Sequence, residues 1–219
     1  MTATAKRRQM KEDQLVTTTV RLSEWAQAHF NQVIIGVVAL VAAVAVVVFV
    51  ANSRQSTARQ SERQMGSALT LMQQGDMNAA RTSFEQLSQS GGGKYAVVSR
   101  FFKAECELRL GNYAQAVTDY DAYLAKKTAY PTFAAAAAIG KGMACEGLQQ
   151  WAEAATALVS ALDALDTTDP RYYDTAFRAA AFYDRAGNHE AAEKYFQIVA
   201  DGGTGEIRDR AAIALSALN

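Results

Sequence analysis

The chain has 219 residues, half of them hydrophobic, and its 22 basic side chains balance 22 acidic ones to a formal net charge of zero. That balance excludes the basic surface that a phosphate backbone requires, so nucleic acid is not an expected partner. Two prolines in an alanine-rich sequence favour helix, because alanine loses no side-chain entropy there.

Residues 1–32 carry five basic residues (Lys6, Arg7, Arg8, Lys11, Arg21) and three acidic ones (Glu12, Asp13, Glu24). Leu22, Trp25, Ala26 and His29 recur at the spacing of one helical face. They predict an amphipathic helix with Trp25 and Phe30 at headgroup level. It reads as a continuation of the next segment rather than a separate sensor.

From Val33 to Ala51 every residue is apolar or glycine. A helix of this length reaches about 28 Å, close to the roughly 30 Å of a hydrocarbon core. Thirteen of these residues are Val, Ile, Leu or Phe, and no charge opposes insertion. A cleaved signal peptide is the rival reading. It fits less well, because its apolar core is usually shorter and its leader short and basic, and because Phe49 stands where a small residue is wanted. The five basic residues before the span, against Arg54, Arg59 and Arg63 after it, lean towards a cytoplasmic N-terminus.

Beyond the span, four stretches repeat one pattern. Gly75, Gly111, Gln149 and Gly187 are spaced by 36, 38 and 38 residues. Alanine follows five residues after each (Ala80, Ala116, Ala154, Ala192), and a large apolar residue nine after (Phe84, Tyr120, Leu158, Phe196). A Gly-Asp or Gly-Asn pair closes a helix in the left-handed conformation that glycine reaches without a Cβ penalty. The alanine marks the closest approach of two antiparallel helices. The bulky residue four positions on lies on the same face and fills the gap to the next pair. Pro131 and Pro170 precede the third and fourth anchors by 18 and 17 residues, and each is read as opening a new repeat. In Glu206 to Asn219, Ile207, Ala211, Leu215 and Leu218 form one stripe, the pattern of a helix that caps the stack.

These residues resemble the tetratricopeptide repeat family and its Gly…Ala…Phe…Pro pattern over about 34 residues. The resemblance covers nearly all of residues 60–201. Gln149 replaces one turn glycine, the early tryptophan is missing, and glycine-rich joints fall at Ser90–Gly93 and Gly202–Gly205, so irregular stacking is expected. The expected fold is all-α: an N-terminal transmembrane helix, a right-handed α-solenoid of about four helix pairs, and a C-terminal capping helix. The domains expected are a tail with interfacial helix (1–32), the transmembrane helix (33–51) and the repeat domain (52–219).

In that family the first helix of each pair lines a concave groove. Carried over by position, the resemblance implies a peptide groove lined by Met65, Leu69 and Met72, then Phe101, Glu105, Leu108 and Arg109. Ile139, Met143 and Glu146 follow, then Phe177, Asp184 and Arg185. Several of these are equally readable as core between repeats. The clamp that holds chaperone C-terminal carboxylates is absent, since Met65, Phe101, Ile139 and Phe177 and then Leu69, Glu105, Met143 and Ala181 occupy its Lys and Asn positions.

Little points to chemistry. Ser90-Gly-Gly-Gly-Lys94 lacks the first glycine and the Ser/Thr of a phosphate loop, and no strand precedes it. His29 and His189 have no partners at metal-ligand spacing, and no nucleophile constellation appears. Cys106 and Cys145 lack C-x-x-C spacing and read as small buried hydrophobes. Neither an enzyme nor a cofactor is expected.

The order of short N-terminal segment, membrane helix and repeats resembles the bacterial ancillary subunits of the Sec translocon. That resemblance implies a single-pass inner-membrane protein with a periplasmic domain that binds proteins or peptides, among them translocon or chaperone partners. The alternatives are a cytoplasm-facing repeat receptor and a self-associating organiser of envelope assembly or cell division.

Overall fold

The computed structural model describes residues 30–91, 93–126 and 131–218, with side chains from Val38 onward except those of Pro131 and Thr132. The N-terminal tail and the amphipathic helix expected around Leu22, Trp25 and His29 lie outside the described residues. Among the described residues every regular element is a helix.

The first helix, α1 (Phe30–Gln73), runs for 44 residues. It does not stop at Ala51, where the apolar run ends, because no proline and no Gly-Asp or Gly-Asn pair intervenes before Gly75. From Val38 to Val50 its large apolar side chains are exposed, Phe49 by 74%. No residue of its apolar window is buried, and the mean hydropathy of that window is 1.8. A core helix of a water-soluble domain would bury this surface, so α1 is a candidate single membrane span. The chain divides into two compact units between Gln55 and Ser56.

In the second unit the described residues form eight more helices: α2 (Met77–Ser90), α3 (Lys94–Arg109), α4 (Tyr113–Leu124), α5 (Pro131–Gly147), α6 (Trp151–Leu162), α7 (Tyr172–Arg185), α8 (His189–Gly202) and α9 (Glu206–Leu218). The end of α1 pairs with α2 through a shared cluster of Met65, Ala68, Ala80, Phe84 and Leu87. From α2 onward each helix packs against its neighbours in the chain, and α3 also meets α5. The result is a tetratricopeptide-like solenoid of four helix pairs, closed by α9.

The turns within pairs share one construction. Gly75, Gly111, Gln149 and Gly187 take φ of 86°, 78°, 60° and 77°. In each turn two backbone bonds close the preceding helix. Gly75 N donates to Met72 O (3.2 Å) and Asp76 N to Leu71 O (3.0 Å), with equivalents at Gly111/Asn112, Gln149/Gln150 and Gly187/Asn188. This is the Schellman arrangement, and the residue that completes it becomes the N-cap of the next helix. Asp76 and Asn188 accept from Ala79 N and Ala191 N at 3.0 and 3.1 Å. Asn112 instead donates from Nδ2 to Glu107 Oε2 at 2.7 Å, and Gln150 makes no capping bond.

The repeated alanines, Ala80, Ala116, Ala154 and Ala192, are all fully buried. So are Phe84, Tyr120 and Leu158, and Phe196 is nearly so. Fully burying one such large side chain contributes about 1.5–3 kcal/mol, which makes these positions the spine of the stack. Pro131 is the first residue of α5, whereas Pro170 stops short of α7. There the entry turn is built by Asp169, which accepts from Arg171 N at 2.9 Å. The second glycine-rich joint also begins later than its sequence suggests, since Gly202 is still helical and Gly203 is the cap. In α9, Ala211 is buried, and Ile207, Leu215 and Leu218 pack on the last pair, covering its apolar face.

Candidate peptide-binding groove

A cavity of about 630 Å³ lies where α3 and α5 run side by side. Leu108, Tyr113, Ala136, Ile139 and Met143 give it an apolar lining, and Glu105, Arg109, Glu146 and Arg171 bring charge to it. Gly140 and Gly147 complete the α5 wall. At Gly140 the missing Cβ is a requirement of packing, because a Cβ would collide with the Tyr120 hydroxyl.

The charged groups are held in different ways. Glu146 accepts from Arg178 Nη2 at 3.1 Å, and Arg171 forks onto Asp169 at 2.8 and 2.9 Å. That fork and the Arg171 backbone N–H keep the Asp169 carboxyl down at about 2. Glu105 Oε1 accepts from the Tyr120 hydroxyl at 2.5 Å. Burial, followed by the negative charge of Glu105, holds the Tyr120 phenol far above its usual range, so it is a permanent donor. Cys106, buried in α3, is a free thiol pushed up to about 11 chiefly by burial.

Thirteen residues were expected in the groove, and the structure distributes them. Glu105, Leu108, Arg109, Ile139, Met143 and Glu146 come together around the one cavity. Met65 and Phe101 lie in the core instead, 8% and 6% exposed, and offer a partner little surface. Phe101 is packed among the rings of Tyr123 and Phe133 at 5.7 and 5.0 Å. Leu69 and Met72 are half-buried against the first cluster. Phe177 stacks edge-on to Phe196 at 5.3 Å and lies under Arg210 of α9 at 4.7 Å. Asp184 pairs with His189 Nδ1 at 2.9 Å, and Arg185 covers the ring of Trp151 at 4.8 Å. Tyr113, Ala136, Gly140, Gly147 and Arg171 were not anticipated. Tyr113 and Arg171 come from just after a turn, where repeat registers give no sign of the direction a side chain takes.

Residues 65–132 match the profile of the tetratricopeptide repeat family. That segment is tetratricopeptide-like. The matched segment runs from the end of α1 to the start of α5, and the third and fourth pairs repeat its turn geometry and its buried alanines. No curated protein matches the chain. Among solved structures the chain is similar to MamA from Desulfovibrio magneticus RS-1 (residue 41 to the end), with 20% identity, a TM-score of 0.52, and coverage of 69% of this chain and 76% of that one. A MamA RS-1 ArsTM double mutant gives 20% identity and a TM-score of 0.53, covering 65% and 74%. A further crystal structure of MamA gives 16% identity and a TM-score of 0.50, covering 69% and 91%. At these identities the likeness is one of fold. The tetratricopeptide-type fold is a protein-interaction scaffold. Among the described residues no group of three or more His, Cys, Asp or Glu could hold a metal ion.

Proposed function

We propose that this protein is a single-pass membrane-anchored scaffold whose tetratricopeptide domain docks other proteins through the cavity between α3 and α5. The observation that carries the reading is that one helix, α1, bears an exposed apolar run at Val38–Val50 and ends in the first repeat pair. Water opposes the first feature, and the second supplies an interaction domain on the same chain. The excess of basic residues before the span supports a cytoplasmic N-terminus and a periplasmic repeat domain in the inner membrane. In that compartment the domain would serve protein translocation or envelope chaperones, as its resemblance to ancillary Sec subunits implies. An apolar, Met-containing lining suits adaptable recognition of peptide segments.

The test is topology. A reporter that is active only outside the cytoplasm, fused after Asn219, is expected to be active, and crosslinking from the α3–α5 cavity should then capture translocon or chaperone subunits. A reporter active only in the cytoplasm would sink the periplasmic assignment and leave a cytoplasm-facing docking platform.

A further inference from the structure

Glu105 and Arg109 stand four residues apart on α3 with the acid first, the order that ordinarily closes an ion pair along a helix. Here they form none. Glu105 is drawn to the buried Tyr120 hydroxyl at 2.5 Å, a reach that exists only because Gly140 leaves room for that hydroxyl. Arg109 is therefore exposed at the apolar cavity and makes no ion pair with any described residue. The other arginine at this cavity, Arg171, is already neutralised by Asp169, and Glu146 by Arg178. Among the described residues Arg109 thus stands beside an apolar seat without an ion-pair partner, and the part-buried hydrogen bond from Tyr120 holds off its natural partner, Glu105, whose carboxyl lines the same cavity.

We propose that the α3–α5 cavity recognises acidic–apolar peptide segments. An apolar side chain seats against Leu108, Ile139 and Met143, and the side-chain carboxylate of a neighbouring Asp or Glu pairs with Arg109. The proposal rests on the groove reading above and names the chemistry of its partner. Tyr120 is then a positioning residue. It never meets the peptide, yet it sets the affinity by deciding whether Glu105 competes for Arg109.

The experiment uses the full chain in detergent micelles and three labelled synthetic twelve-residue peptides. These share a Leu-Leu anchor flanked by Glu, Gln or Lys, and binding is read by fluorescence anisotropy. The Glu peptide should bind most tightly, and its advantage should shrink as salt is raised. Arg109→Gln should weaken the Glu peptide about fivefold, the scale of one exposed ion pair, and leave the Gln peptide unchanged. Tyr120→Phe should weaken the Glu peptide similarly, because the released Glu105 closes on Arg109. Tyr120→Phe combined with Glu105→Gln should restore it, and a double variant that stays weak overturns the positioning role of Tyr120. Equal or tighter binding of the Lys peptide, or indifference of the Glu peptide to Arg109→Gln, overturns the acidic preference and leaves the groove reading standing. Failure of all three peptides to bind, or binding that survives Met143→Arg, overturns the groove reading as well.

Discussion

Gln149 holds a φ of 60° at a turn whose three counterparts are glycines. A left-handed conformation costs an L-residue roughly 1–2 kcal/mol, part of which glycine returns as lost unfolded-state freedom. Gln149→Gly is therefore expected to stabilise the domain by about 1 kcal/mol, a rise in Tm of about 2–4 °C by thermal melting. A melting point that falls would show that the side chain at 149 contributes packing the turn geometry does not reveal. The same scale governs the cavity. Glu105 and Arg109 could be placed on one helix face from spacing alone, but only the position of the Tyr120 hydroxyl, 15 residues away in the chain, decides that they stay apart.

At the scale of helices, the pairs depend on close approach at the repeated alanines. Ala154 is fully buried between α5 and α6, and enlarging it should force the helices apart. Ala154→Leu is expected to cost about 1–3 kcal/mol in a denaturant titration, and a neutral result would mean that the third pair has slack its buried surface conceals. The first and second pairs share a polar contact as well as their apolar cluster. Glu107, 3% exposed, faces Arg81 of α2 at 3.7 Å and accepts from Asn112 at 2.7 Å. Glu107→Ala strands the Asn112 donor and should cost about 1–3 kcal/mol, while Glu107→Gln keeps an acceptor and should cost less. The Arg81 side chain is one-third exposed, so solvent screens its share of the contact. Equal losses in the two variants would assign the effect to charge rather than to the hydrogen bond.

For the molecule as a whole, the proposal of a membrane anchor stands on the exposed apolar run of α1. Val44 and Val47 lie in its middle and are 54% and 67% exposed. Arginine at the centre of a spanning helix costs about 2.5–3.5 kcal/mol on insertion scales. The double variant Val44→Arg/Val47→Arg should release the protein from carbonate-washed membranes. Retention of the variant in that fraction would separate membrane attachment from this helix.

The local signals were strong enough to be read without a structure. A run of 19 apolar or glycine residues cannot be concealed, because its length and its lack of charge are properties of the chain itself. The helix pairs were equally legible. Left-handed turns demand glycine, close contacts demand alanine, and both recur at a fixed spacing, so four registers confirm one another. Gln149 kept its place in the pattern because the other three turns defined it. What the tertiary structure decided is which way each side chain on a groove-forming helix points. Phe101 and Glu105 are neighbours on one face of α3, yet Phe101 fills the core and Glu105 meets the cavity, a difference of tilt that periodicity does not encode. The lone Arg109 is a consequence of the same kind. It depends on a hydroxyl from α4 and a missing Cβ on α5 meeting beside α3, and such a three-helix coincidence exists only once the chain is packed.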